Sequence, residues 1–417
     1  MMFRRPVAAA ALLCAAAFAA PVHAAASISL GYLGQQIVPS GTQFSGTTVG
    51  GLSGIDFNPA TGHFLAISDD RSAVNPARFY ELSLDLAQFA RAATPGMAGV
   101  NFNAVTTIQK PGGGAFATNT VDPESLRLNR ATGTVFWTNE GQRNAAGFQA
   151  PTVREMKADG SHLRDFAVPT RYLPFGSAAG TAAGDRGVYN NLAFESLTLS
   201  ADGKTLYTAT ENALTQDGPV STLAHGTSSR LLSFDVASGA SGAEYVVEVE
   251  KVALPPNPPG GFATNGLTDL LAIGDRQFIA IERSFAVGAA TPGSPVTGNT
   301  IRLYQLDARN ATDVSGLDSI AGVAILQTVK KTLLLDLSAL KNDDGSALAL
   351  DNIEGLSFGP QFNGQQTLIL VSDNNFSGTQ FTQFVALSVA AVPEPQTYAV
   401  LLAGLGAVGW VVRRRRR

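Results

Sequence analysis

The chain predicts an all-β fold made of repeats, and three observations carry that reading. A hairpin-like cassette returns along the sequence, closed each time by an acid: Asp69, Glu140, Glu211, Glu282 and Asp373. Their separations are 71, 71, 71 and 91 residues, and a fixed period of this size marks a repeat architecture. No amphipathic helical stretch of convincing length interrupts the copies, while 43 glycines and 21 prolines are dispersed among them. The third observation is one of strand supply: the last copy is one strand short, and the N-terminus has one to spare.

The clearest copy runs from Glu195 to Glu211. Ser196–Leu199 alternates, Ala201-Asp202-Gly203-Lys204 supplies turn chemistry, and Thr205–Thr210 is a second β-rich run. Four strands per repeat follow from the same reasoning. The first repeat holds 52–57, 63–68, 77–84 and 100–109. The second holds 124–128, 134–139, 152–157 and 162–168. The third holds 195–199, 205–210, 229–236 and 244–254. The fourth holds 266–273, 277–283, 300–306 and a tail through 320–337, and the fifth only 354–358, 367–372 and 380–389. The spare run, Ser27–Leu33, would complete the fifth and remove an exposed edge. Residues 27–390 therefore predict a β-propeller of about five four-stranded blades closed by the N-terminal strand. Six blades is the alternative, because 284–350 holds extra material around Thr291–Gly298 and Ile320–Leu340.

The two ends read as address labels. Residues 1–24 have two arginines, an apolar run and the small-x-small pattern Val22-His23-Ala24, the order of a secretory signal peptide. The only cysteine, Cys14, lies inside it, so the exported chain would hold no disulfide, thiol nucleophile or thiolate metal site. At the other end, Pro393-Glu394-Pro395 precedes an apolar run from Tyr398 to Val412 and five arginines, Arg413–Arg417. That run is short for a membrane span, and the arginines would stay cytoplasmic. The segment 392–417 resembles the PEP-CTERM sorting signal of Gram-negative bacteria. The resemblance implies recognition by exosortase-type machinery, a short transmembrane helix that holds the chain at the membrane only transiently, and export to periplasm, cell surface or matrix. The whole chain carries 29 Lys+Arg against 33 Asp+Glu. Without the seven terminal arginines the balance is near −11, which argues against nucleic acid and for cations or cationic ligands.

In a propeller the first strand of each blade lines the channel and the second returns antiparallel. The starts of the first strands, Glu124, Glu195 and Glu354, then share one face with the closing acids. A ring of carboxylates around one mouth is expected. Such a ring repels itself unless compensated. Oxygen-only ligands suit Ca²⁺, with Asn191, Asn265, Asn352 or Asn374 assisting. Pairing with Arg71, Arg127 or Arg283, or solvation, could also serve. The three histidines of the body, His63, His162 and His225, sit in no nucleophile-elbow context and no zinc spacing. Gly112–Gly114 lacks the lysine of a phosphate loop, and Asn342-Asp343-Asp344-Gly345 is a turn rather than a calcium loop.

Six motifs carry a family resemblance over about residues 45–390. They are Leu52-Ser53-Gly54-Ile55-Asp56 with Ile67-Ser68-Asp69-Asp70-Arg71; Asp122-Pro123-Glu124-Ser125-Leu126; Asn191-Leu192-Ala193-Phe194-Glu195; Ile281-Glu282-Arg283; Asn352-Ile353-Glu354-Gly355; and Val371-Ser372-Asp373-Asn374. The chain resembles the phytase-like family, "esterase-like activity of phytase". Ser125 and Ser196 depart from the glycine expected after the Glu, and Asn374 stands where a second Asp is common. The resemblance implies an exported propeller that hydrolyses phosphoesters or carboxylic esters with help from a cation, calcium being the expected cofactor. In that reading Asp69, Glu140, Glu282 and Asp373 hold the metal, and Arg71 and Arg283 clamp anionic oxygens. One of Glu124, Glu195, Glu211 or Glu354 is the general base. The partners would be a small-molecule ester or phosphoester. The alternatives are a noncatalytic propeller that binds exopolysaccharide in the extracellular matrix, and a lactonase-like hydrolase.

Overall fold

The computed structural model describes residues 27–392 apart from Ile325, and Ser29–Ala390 form one compact unit. Five four-stranded antiparallel sheets follow one another along the chain. The first blade comprises Leu52–Asn58, His63–Ser68, Arg78–Leu84 and Val100–Thr107. The second comprises Pro123–Asn129, Thr134–Asn139, Thr152–Met156 and His162–Asp165. The third comprises Thr198–Leu199, Thr205–Ala209, Thr227–Asp235 and Ser241–Val249. The fourth comprises Ala263–Gly274, Gln277–Ala286, Asn299–Asp307 and Lys330–Asp336. The fifth takes Asn352–Phe358, Gln366–Asp373 and Thr382–Val392, and Ser27–Val38 adds its fourth strand beside the last of these. The N-terminal strand thus closes the wheel and covers the edge that a ring opening would leave.

The inner hairpins form where local chemistry dictates. In the first, Asn58 Oδ1 accepts the Ala60 amide at 3.0 Å, and Gly62 turns back at φ 75°. In the second, Asn129 Oδ1 accepts the Ala131 amide at 3.2 Å and Gly133 does the same at φ 74°. The third blade departs from expectation: its inner strand is only two residues long. Ser196 replaces part of the ladder, its Oγ accepting the Ala209 amide at 2.8 Å while its carbonyl accepts from Thr208 Oγ1 at 2.6 Å. Between neighbouring blades lie apolar layers. Phe64 and Ile55 meet Ile369 and Phe384, and Ile67 and Phe79 meet Leu126 and Trp137. Phe136 meets Phe234, and Leu231 meets Phe278.

The extra material that allowed a sixth blade has another use. The 308–329 segment runs along the outer strand of the third blade, Val314 and Val329 donating their amides to Glu244 O and Val246 O at 2.8 Å each. Val314 and Ile320 pack on Val246. The loop shields an edge rather than building a blade. Among the described residues no helix is long and apolar enough to cross a membrane. The signal peptide expected over 1–24 and the apolar helix and arginine tail expected after Val392 fall on residues outside those described.

At the axis, Arg127 of the second blade reaches across the channel. Its guanidinium donates to Ile55 O at 2.9 Å, Leu126 O at 2.7 Å, Leu270 O at 2.9 Å and Leu356 O at 3.1 Å. It also meets Asp269 Oδ2 at 2.8 Å. Asp269 in turn accepts the Leu356 amide at 2.9 Å and the Leu197 amide at 3.3 Å. One buried ion pair therefore joins inner strands or strand entries from all five blades. Removing one partner leaves a buried charge unpaired, so Asp269→Asn should lower stability by about 3–5 kcal/mol, read as the urea midpoint. Arg127→Met/Asp269→Leu should stay destabilised, because it orphans the backbone groups that the pair satisfies. Wild-type midpoints in either variant would show that the hub is dispensable.

Candidate functional site

The mouth is built by a repeated irregularity. The pairing of first and second strands slips by a residue or two between Leu52 and Gly54, Pro123 and Leu126, Leu267 and Asp269, and Ile353 and Gly355. Glu124 and Glu354 sit in these bulges, and Glu195 sits in the matching gap between the Phe194↔Thr210 bridge and the Thr198↔Tyr207 pair. A bulge breaks the alternation of faces and re-aims a side chain. The residue just beyond the second strand's last regular pair faces them. Asp69, Glu140 and Glu211 donate their amides to Gly51 O at 2.6 Å, Asp122 O at 2.9 Å and Ala193 O at 2.7 Å, and Asp373 pairs with Asn352.

In the fourth blade the residue in that register is Arg283, opposite Gly266, and not Glu282. This corrects the assignment made from the 71-residue spacing. A shift of one residue along a strand turns a side chain to the other face. Glu282 accordingly points away from the other acids, to Lys331 Nζ at 2.7 Å and the Glu250 amide at 3.1 Å. Asn265 goes with it, donating to Glu250 O at 2.7 Å.

The remaining acids do converge. Oxygens of Glu124, Glu140 and Glu195 lie within 4.8 Å of one another, and so do those of Asp69, Asp122 and Glu124. Asp122 was not singled out as a site residue from the sequence. It stands just ahead of the strand and of the bulge that holds Glu124, so strand alternation does not mark it. Arg71 lies against it, Nε to Asp122 Oδ1 at 2.8 Å, and donates to Asn191 Oδ1 at 2.6 Å. Across the mouth Arg283 Nη2 meets Glu354 Oε1 at 3.0 Å and Glu211 Oε1 at 3.5 Å. Asn352 Nδ2 donates to the same Glu354 oxygen at 3.0 Å. Gly266 is the cradle for Glu211, whose side chain a Cβ there would overlap. A cavity of about 820 Å³ opens over this ring, lined by Asp69, Glu124, Glu195, Glu211, Glu354 and Asp373.

Other candidates serve elsewhere. Arg127 belongs to the axial hub, on the same strand as Glu124 but three residues deeper. Asn374 is consumed by the Gly51 and Phe376 amides at 3.1 Å each and by Ser40 Oγ at 3.1 Å. His63 pairs with Glu81 at 2.6 Å, His162 stands 3.7 Å from Asp165, and neither they nor His225 line the cavity.

Burial is the largest influence on every carboxyl of the ring and raises each one; neighbouring acids raise them further, while Arg283 opposes the shift at Glu211 and Glu354. Asp122 and Asp373 are pushed up to about 8, and Glu140, Glu211 and Glu354 to about 7. Asp69, Glu124 and Glu195 are held well above the usual carboxylate range, first by burial and then by the acids beside them. Burial alone would lower Arg283, but Glu211 and Glu354 outweigh it and hold it charged. Eight acids thus share two arginines. Glu140 shows the shortfall most plainly: Oε1 accepts the Ala193 amide at 2.8 Å, while no amide, hydroxyl or cation donates to buried Oε2, so within the chain a proton shared with the Glu195 carboxyl is the one remaining way to match this pair. Arg71 is 3.9 Å from that oxygen, and Glu195 and Glu124 are its other neighbours in the cluster. Three converging oxygen donors, one of them served by no amide, hydroxyl or arginine, fit a hard divalent cation.

Among solved structures the chain is similar to the Dos1 propeller, with 8% identity and a TM-score of 0.33 over 81% of this chain and 68% of that one. It is similar to U3-55K, with 8% identity and a TM-score of 0.34 over 86% and 98%. The β-propeller domain of Cps50 (Swd1) from Myceliophteria thermophila gives 11% identity and a TM-score of 0.33 over 82% and 97%. No curated protein matches. The PEP-CTERM protein-sorting motif matches residues 391–417, an export signal of Gram-negative bacteria read by exosortase-type machinery. The model "Esterase-like activity of phytase" matches residues 47–376, most of the wheel, and the chain belongs to that phytase-like family.

Proposed function

We propose that this exported propeller hydrolyses ester or phosphoester bonds in the carboxylate well, with a calcium ion held by Glu124, Glu140 and Glu195. The observation that carries the reading is the buried oxygen of Glu140, served by no amide, hydroxyl or arginine, inside a three-carboxylate cluster beneath an open cavity. A bound calcium ion supplies Lewis-acid polarisation of an ester oxygen. The chain's own groups do the rest. Arg283 lines the cavity, where its guanidinium is placed to orient an anionic oxygen. Arg71, engaged with Asp122 and Asn191, holds the rim rather than the substrate. Glu211 and Glu354 flank Arg283 and titrate near neutrality, which suits them to take a proton from water and return it to the leaving oxygen.

One observation favours a second reading, a noncatalytic glycan-binding propeller. A groove of about 430 Å³ beside the mouth is lined by Asn119, Gln142, Asn144 and Gln149 around exposed Phe148. Planar amides beside an aromatic face suit a sugar ring.

Purified protein assayed on p-nitrophenyl acetate, p-nitrophenyl phosphate and phytate should turn over at least one of them. Activity should vanish in EGTA and return with calcium. Glu140→Gln should weaken calcium binding by at least about tenfold, since one ligand charge is lost. Turnover indifferent to EGTA, or unchanged calcium affinity in Glu140→Gln, would remove the metal from this reading.

The raised carboxyls also set a pH dependence. The folded chain keeps protons that the unfolded chain releases near about pH 4. Without calcium, stability is therefore greatest at the acidic end and is lost as pH rises through the folded values of about 7 to 8. The Tm in EGTA should fall from about pH 5 to about pH 8.5, and the gain on adding calcium should grow over the same window. A metal-free Tm that climbs with pH across this range would contradict it.

A further inference from the structure

The cavity has two unlike walls. One carries the carboxylates. The other, from the fourth blade's second strand and the loops beside it, carries Phe285, Phe262 and Val296. Phe262 is 68% exposed and Val296 60%, a large apolar outlay for a soluble surface. Neither sits on a slack loop. The Val287 amide donates to Phe262 O at 3.0 Å, the Asn257 amide to Val287 O at 2.8 Å, and the Gly261 amide to Pro258 O at 3.1 Å. Thr297 Oγ1 binds Leu350 O at 2.5 Å, and the Gly298 amide binds Thr291 Oγ1 at 3.1 Å. Phe285 backs Phe262, with ring centroids 6.1 Å apart and planes inclined by 40°. The apolar groups are therefore presented in fixed positions beside the acids, which lowers the entropy lost on binding.

Charge restricts the occupant further. Arg283 is the one cationic side chain among the described residues that line the cavity, against six carboxylates. A polyanion such as phytate would need several guanidinium or ammonium partners and finds one. A molecule with one polar head and an uncharged remainder matches both walls.

We propose that Phe262, Phe285 and Val296 form a subsite for the apolar part of the substrate, so that the well takes amphipathic esters: one ester or phosphoester head at the carboxylates, with an alkyl or aryl group on the fourth-blade lip. The proposal rests on reading the well as a hydrolase site, but its test does not require turnover.

The test is calorimetric titration of the full protein, in calcium chloride, with methylphosphonate, hexylphosphonate and phytate. Five extra methylenes, partly buried on the lip, should make hexylphosphonate bind at least about tenfold tighter than methylphosphonate. Phe262→Ser and Phe262→Ser/Val296→Ser should bring the two within about threefold, leaving methylphosphonate affinity unchanged. Phytate should bind more weakly than hexylphosphonate. Equal affinity for the two phosphonates, binding of neither, a chain-length preference that survives both variants, or tighter binding of phytate would each overturn the subsite. A protein that keeps the chain-length preference yet hydrolyses no ester would lose the hydrolase reading while the lip stands.

Discussion

The buried pair Arg127–Asp269 is the constraint around which the wheel is assembled. Two charges at the axis are expensive to desolvate, and only extensive hydrogen bonding makes them tolerable. Here four backbone carbonyls and two amides, drawn from all five blades, supply it, with Arg127 Nε left as the one guanidinium nitrogen without a partner. The consequence is geometric. The channel is filled at this level, so the carboxylate mouth is a well with a floor. Each blade also has a backbone group tied to this one pair.

Above this floor the molecule does what a stable core avoids. It gathers eight acids with two arginines and leaves a carboxylate oxygen served by no amide, hydroxyl or arginine. Strain accompanies the charge. Around the mouth Ser72, Asn119, Asn191, Asn375 and Phe376 adopt positive φ of 47–60°, a region that a bulky side chain rarely enters. Asn191 and Asn375 line the cavity itself. Such conformations persist where the surrounding fold over-determines them, and they concentrate at sites of function. The five apolar-cored blades and their closed ring are what hold this unfavourable cluster in place.

The wheel was legible because its signals are local. Each inner hairpin declares itself through β-rich runs around turn residues, and the arithmetic of one missing and one spare strand reveals closure. The site was legible in outline for the same reason: Glu124, Glu195, Glu211 and Glu354 take their positions from the hairpin that carries them. Two errors share one cause. The spacing of 71 residues counted Glu282 with the ring, yet the fourth blade's register brings Arg283 into the mouth instead. Asp122 lies just outside a strand and joins the ring only because the Asp122 carbonyl pairs with Glu140. Period counting cannot see a bulge, and a bulge exchanges faces.

From residue order one can derive the class of fold, the number of blades to within one and the acidic character of one mouth, because these depend on hairpins near in sequence; the closing strand follows from counting, since one strand is spare at the start and one is missing at the end. Three matters needed the folded ring. One was which of two adjacent residues, Glu282 or Arg283, faces the well. The second was that Arg127 stops the channel with Asp269, 142 residues away along the chain. The third was that Phe262 and Val296 stand over the acids. Each is a relation between blades, set by cross-strand register and by packing around the axis, and no local pattern encodes either.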